Sequence, residues 1–383
     1  MSTLKLIISC ICLFLAGAAL QFLCGDVNST RFAYPWSTVL FLNYLGLLVF
    51  LVFRFGDRPS FRSIFGESAG IGIMSMLLLL VLLMGITGRN LNHSWPFVLP
   101  MIWLMTLTGV VAVRDLLHIR RVPWAAMLFH WGLFLILAAA IFGNADKLRV
   151  TVKAYIDSEV AEGVDVQQNI RHLPFSLRLK AFHLEEYAPK LCLIGIDGES
   201  MEECLQIPAN KCETLHQYKD WTIIVKRYID EALPAGDSLV FQPVHHVGAA
   251  HAALVEAVKG MDKVCGWISP GSFLFDGVQL KLDDGLVLSF KPSSPKSFVS
   301  KLVLTDAQGF TSNENTSVNH PIRYGSWQIY QKGYDVEQGK WSNYSVLECV
   351  NDPWEPVTAI SLWLMVLGAV VCVVESHKQS RKR

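Results

Sequence analysis

Six apolar runs interrupt this chain, and they limit its possible folds more than any other feature of the sequence. Each is roughly 20 residues long, enough at ~1.5 Å rise per residue for a helix to cross a ~30 Å hydrocarbon layer. Helices and closed barrels alone satisfy their backbone hydrogen bonds in that layer. The runs fall at Leu6 to Leu23, Ser37 to Phe53, Ala69 to Thr87, Pro96 to Val113, Trp124 to Phe142 and Val357 to Val374. Between the last two, from about Gly143 to Pro356, the composition is that of an ordinary soluble domain. With 52% hydrophobic and 17% charged residues in 383, the chain as a whole is too apolar for a soluble enzyme.

The formal net charge of zero conceals an ordering along the chain. Arg54, Arg58 and Arg62 follow the second run, Arg114, Arg120 and Arg121 the fourth, and Lys378, Arg381, Lys382 and Arg383 the sixth. The other short loops hold little basic charge, Arg31 in one and Arg89 in the other. Basic loops are retained in the cytoplasm, so both termini are expected inside and the large domain outside. The first run is longer than a signal-peptide core and is followed by Cys24, Gly25 and Asp26, so it is read as an anchor. The expected fold class is a membrane protein: an α-helical transmembrane bundle of about six spans plus a mainly β extracytoplasmic domain. Its divisions are residues 1–143 (five helices with short loops), 144–356 (the external domain) and 357–383 (the last helix and a basic tail).

The external stretch alternates apolar and polar side chains in the manner of strands. Phe175, Leu177 and Leu179 alternate with Ser176, Arg178 and Lys180. Trp221 to Ile229, Val278 to Leu282, Leu286 to Phe290, Phe298 to Leu304, Trp327 to Tyr330 and Tyr344 to Val350 are short β-branched or aromatic runs. Asp197-Gly198, Asp276-Gly277 and Asp284-Gly285 are hairpin dipeptides. One helix is expected near Ala249 to Val258, where alanine is frequent, and a polar loop over Thr311 to Asn319.

Of the nine cysteines, Cys192, Cys204, Cys212, Cys265 and Cys349 lie in this stretch, an odd number that cannot all pair internally. One disulfide among Cys192, Cys204 and Cys212 suits an oxidising compartment. No Cys-x-x-Cys or Cys-x-x-Cys-His occurs, so neither a thioredoxin-like pair nor covalently attached haem is indicated.

Within the six runs a single residue belongs to the set His, Asp, Glu, Lys and Arg, namely His130. Ionisable groups at membrane depth cost roughly 2.5 kcal/mol or more when charged, and they mark pathways, relays or cofactors. Six residues past Trp124, His130 lies ~9 Å along its helix. Neutral imidazole is a good axial ligand for haem iron, and Phe129, Trp131, Leu133 and Phe134 would suit a porphyrin. The competing possibility is a histidine that hydrogen-bonds a neighbouring helix. His93, just before the fourth run, is expected to be solvated.

The external domain holds His172, His183, His216, His245, His246, His251 and His320. The group His245, His246 and His251 has no zinc-type spacing and no nearby cysteine or carboxylate in the usual pattern. Serine-hydrolase elbows, phosphate loops and dinucleotide fingerprints are absent from the sequence.

Three stretches resemble the ResB (CcsB) family of System II cytochrome c biogenesis: Leu173 to Phe182, Asn319 to Asp335 with its Pro321, Tyr324-Gly325 and Ile329-Tyr330-Gln331, and Asn351-Asp352-Pro353. Phe129-His130 matches the Phe-His that the family places in the span entering this domain. The likeness runs from about Val122 to the end, whereas Cys192 to Pro270 does not align, and five spans stand where the family has three. The resemblance implies a subunit of a cytochrome c synthetase (haem lyase) complex, not catalytic alone. Such a subunit carries non-covalent haem b across the cytoplasmic (inner) membrane to apocytochrome c, with its large domain periplasmic. Its partners would be a ResC/CcsA-like membrane protein, apocytochrome c and haem, with no nucleic acid, and His130 would be the haem-iron ligand. The alternative is a membrane-anchored b-type haem or structural subunit of a respiratory complex, which normally needs paired histidines on neighbouring spans.

Overall fold

The structure, a computed structural model, describes residues 3–119, 122–195, 207–218, 220–236, 239–282, 285–291 and 293–380. The chain divides into two compact units, Met1–Leu148 with Asn351–Arg383, and Arg149–Val350.

The first unit is helical: α1 (Thr3–Cys24), α2 (Trp36–Phe55), the short α3 (Pro59–Ile64), α4 (Glu67–Thr87), α5 (Trp95–Leu117), α6 (Trp124–Phe142) and α7 (Glu355–Ser380). Among the described residues six helical stretches are long and apolar enough to cross a membrane. Each of the six runs lies inside one of them, so the chain is a multi-pass membrane protein. Proline and glycine set the ends. Pro59 opens α3, Pro123 precedes α6, and Gly88 at φ +64° closes α4 in a left-handed conformation that a side chain would strain.

The helices meet through small residues, as expected where apolar lipid removes any hydrophobic drive between them. Leu48 of α2, Met105, Val110 and Val113 of α5, and Phe134 and Ala138 of α6 form one buried core. Gly109 makes that closeness possible, because a Cβ there would stand 2.6 Å from Leu48 Cδ1 and 2.8 Å from Phe134 Cε2. On the α6–α7 face, a Cβ on Gly132 would meet Met365 Cγ at 2.6 Å, and one on Gly368 would meet the Ala125 carbonyl at 2.8 Å.

At the far end of α6 a carboxylate gathers three elements. Asp146 accepts hydrogen bonds from the Tyr34 amide (2.6 Å), the Ser37 hydroxyl (2.7 Å) and the Trp354 indole (2.7 Å). Asp352 pairs with Lys147 at 2.8 Å and accepts from the Trp354 amide at 3.1 Å, opening α7. The Asn351-Asp352-Pro353 stretch therefore acts as a joint in the helical unit.

The second unit is built of antiparallel strands. An eight-stranded sheet runs in the order Thr311–Ser317, Pro295–Asp306, Ile170–Glu186, Glu159–Asp165, Leu148–Tyr155, Tyr344–Asn351, Trp327–Tyr334, Ile322–Tyr324. A five-stranded sheet holds Asp262–Ile268, Ala250–Lys259, Trp221–Pro234 and Leu215–Tyr218 in order, with Phe241–Pro243 also on Trp221–Pro234. A four-stranded sheet runs Leu280–Lys281, Leu286–Phe290, Lys190–Gly195, Ile207–Pro208. In the long strand Ile170–Glu186, Leu173, Phe175, Leu177 and Leu179 are buried on one face, and an irregular register near Lys180 moves burial to Phe182. Gly285, at φ +70°, stands just before the strand Leu286–Phe290, which pairs with Leu280–Lys281, whereas Asp284, Asp197-Gly198 and Cys204 lie outside the described residues. Cys212 is a free, exposed thiol.

Two expectations are corrected. Ala249 to Val258 is the strand Ala250–Lys259, paired on both sides, with Ala252, Ala253, Val255 and Ala257 fully buried. Its alanines are small because neighbours crowd both faces, and this packing overrides helix propensity. Thr311 to Asn319 is largely the strand Thr311–Ser317, at the edge of the eight-stranded sheet. Edge strands are commonly polar, which discourages pairing with other chains.

Candidate functional site

His130 faces back toward α5. That helix does not stop at the end of its apolar run but continues to Leu117, placing Asp115 in its last two turns. The Asp115 carboxylate is 5% exposed, and its Oδ2 lies 2.6 Å from His130 Nδ1. His130 remains the single ionisable residue within the apolar runs, but a carboxylate from just beyond the fourth run stands beside it. The pairing had a trace in the sequence: Asp115 comes eight residues before Pro123 and His130 seven after it, so an antiparallel helix pair turning at Val122-Pro123 brings them level.

A carboxylate has no proton to give, so Nδ1–H donates to Asp115. The imidazole is then fixed in the tautomer that leaves the Nε2 lone pair free. Nε2 has no hydrogen-bond partner among the described residues, and the side chain is 37% exposed. Histidines that bind metals characteristically donate their other nitrogen to a carboxylate in this way, which orients the ring and raises its basicity.

The neighbouring aromatic residues do not form one surface. Phe134 is fully buried in the helical core, and Trp131 and Leu133 pack against that core, whereas Phe129 is 39% exposed. Successive positions on a helix turn by about 100°, which scatters these four side chains around α6. His93 is exposed and lines a cavity of about 550 Å³ together with Met101, Trp95 and Phe142. His118 donates from Nδ1 to the Arg114 carbonyl at the end of α5 (2.9 Å).

The group His245, His246 and His251 is drawn apart. His245 Nδ1 meets Glu231 Oε2 at 2.6 Å, His246 Nδ1 meets the Val247 carbonyl at 2.6 Å, and His251 Nδ1 meets the Tyr228 hydroxyl at 2.8 Å and Asp230 Oδ1 at 3.1 Å. His172 pairs with Glu162 at 3.2 Å, His216 with the Thr214 hydroxyl at 3.0 Å and His320 with the Val318 carbonyl at 3.3 Å. Among the described residues no three His, Cys, Asp or Glu side chains converge to hold a metal ion. The His251 imidazole, 3.7 Å from the Glu186 carboxylate, holds that carboxyl below the usual glutamate range, against burial, which pushes it up; the Ser293 hydroxyl and the charge of Lys340 add to the lowering.

The fold and this pair define a multi-pass helical membrane protein with a β-rich second unit and a carboxylate-oriented histidine in its bundle. Residues 273–348, about a fifth of the chain, match the ResB-like family. The Asn319 to Asp335 stretch lies inside that match, and its side chains there build a hairpin. Trp327, Ile329 and Gln331 point into the core, Trp327 packs edge-on against Phe175 at 5.8 Å, and Gln331 Nε2 donates to Ser345 at 2.7 Å. A cytochrome c haem lyase structure, CcmF, is aligned over 88% of this chain and 45% of its own length, at 12% identity. Its TM-score of 0.23 is below that of a shared fold, and this chain spans less than half the length of that protein. No curated protein matches the sequence.

Proposed function

We propose that this chain is a membrane subunit of a cytochrome c biogenesis complex that carries haem across the membrane, with His130 as an axial ligand to the haem iron. The pairing of His130 with Asp115 carries the proposal. A buried carboxylate in an apolar bundle is costly unless it serves its partner, and here it frees the nitrogen that iron would take. The ResB-like match over residues 273–348 supports the same assignment.

In this scheme haem is the cargo. The protein's residues supply an oriented imidazole and a fixed proton on Nδ1. The remaining exposure of His130 leaves room for a second membrane protein of the ResC/CcsA kind to close the site and provide the other axial ligand. The basic loops after the second, fourth and sixth runs support an orientation with both termini in the cytoplasm and the β-rich unit on the opposite side, which in this reading is the side of apocytochrome c.

The test is cytochrome c maturation in cells producing this chain and such a partner. Replacing His130 by Ala should abolish covalent haem attachment, and imidazole in the medium should partly restore it by filling the vacated ligand position. Normal maturation with stably inserted His130→Ala protein would overturn the assignment.

A further inference from the structure

We propose that the α5–α6 hairpin holds a second haem station at its other end, in the cavity lined by His93, with the His93 imidazole as the iron ligand; the inference rests on haem being the cargo of His130. Asp115 and His130 lie where α5 ends and α6 begins, whereas this cavity lies where α5 begins and α6 ends. Ala140 and Ile141, which line it, stand ten and eleven residues beyond His130, or ~15 Å along the helix. One hairpin thus offers an imidazole near each end of its crossing.

The cavity measures about 550 Å³, within the ~300–1,000 Å³ of small-molecule sites. Phe32, Trp95, Phe97 and Phe142 give it flat apolar walls, and Met101 adds a thioether. Imidazole and thioether are both side chains that can ligate haem iron. Asn92, His93 and Asn144 also line it, and they sit just outside the two helix ends, where hydrocarbon gives way to water. A haem has the matching division, an apolar body and an edge of carboxylates that stays wet.

His93 is also held in place. Its carbonyl accepts from the Val27 amide at 2.8 Å, and the Trp95 amide donates to Gln21 Oε1 at 2.9 Å, so α1 and the segment after it brace the loop ahead of α5. The imidazole makes no hydrogen bond among the described residues, which leaves its nitrogens available.

The experiment titrates haemin into the full-length protein in nanodiscs and reads the axial ligand spectroscopically. His93→Cys should convert one bound haem population from imidazole to thiolate ligation, and Ala140→Trp, which fills the cavity, should weaken that population at least ten-fold while sparing the one that depends on His130. If His93→Cys and Ala140→Trp keep the wild-type ligation and stoichiometry while His130→Ala loses haem, the second station is refuted and the role of His130 stands. If the wild-type protein binds no haem, both fall. Quenching of Trp95 by brominated phospholipid that haemin does not relieve would assign the cavity to lipid and refute the station.

Discussion

Asp115 Oδ2 lies 2.6 Å from His130 Nδ1, joining a carboxylate that is 5% exposed in α5 to the one histidine in the apolar runs. A carboxylate behind a metal-binding imidazole typically changes affinity by about 10–100-fold. Asp115→Ala is therefore expected to weaken haem binding by that factor, with Asp115→Asn intermediate because its amide oxygen still accepts from Nδ1. Haemin titration of the purified variants measures this, and equal affinity in all three proteins would remove Asp115 from the site.

Helix packing gives a second prediction. Gly132→Val would drive a side chain into Met365 and the Ser361 carbonyl of α7, where a Cβ already stands 2.6–2.7 Å away. Overpacking of this kind costs about 1–3 kcal/mol. Gly46→Ala, with nothing within 4 Å of the added Cβ, should leave stability unchanged or slightly raised. Thermal unfolding in detergent compares the two, and equal melting temperatures would show that the α6–α7 contact is looser than described.

The β unit should carry an acid-sensitive contact. Glu186 Oε2 lies 3.7 Å from His251 Nε2, and that pairing, opposed by burial, lowers the carboxyl below its usual range. A folded-state pKa below the unfolded one stabilises the fold above the unfolded value of about 4.3, and the gain is lost as pH falls through the folded value. Glu186→Gln should thus be destabilising at pH 7 relative to wild type, with the gap closing as pH falls through the folded-state pKa and the wild-type carboxyl is protonated too. Denaturant midpoints along a descending pH series read this directly; a gap that stays constant into acid would assign it to packing.

Much of this architecture is legible in the residues themselves. All six spans are read correctly because length and apolarity are local properties, and Leu286 to Phe290 is a strand on sight because five apolar or small residues sit between turn signals. The failures arise where a partner decides. The alanines of Ala250–Lys259 form a strand because Trp221–Pro234 and Asp262–Ile268 flank it, and the polar Thr311–Ser317 pairs because Pro295–Asp306 offers it an edge. Asp115 carries no signal of its own because the apolar run ends at Val113, whereas the helix and its buried pairing extend beyond the hydrophobic signal.

The most direct test of the central claim isolates one ligand position. Full-length protein carrying His93→Ala is purified from haem-replete cells beside the double variant with His130→Ala, and haem content and the absorption spectrum are recorded for each. The expected result is imidazole-ligated, non-covalent haem in the first and none in the second. Equal haem content with the same spectrum in both would contradict the assignment of His130 as the iron ligand.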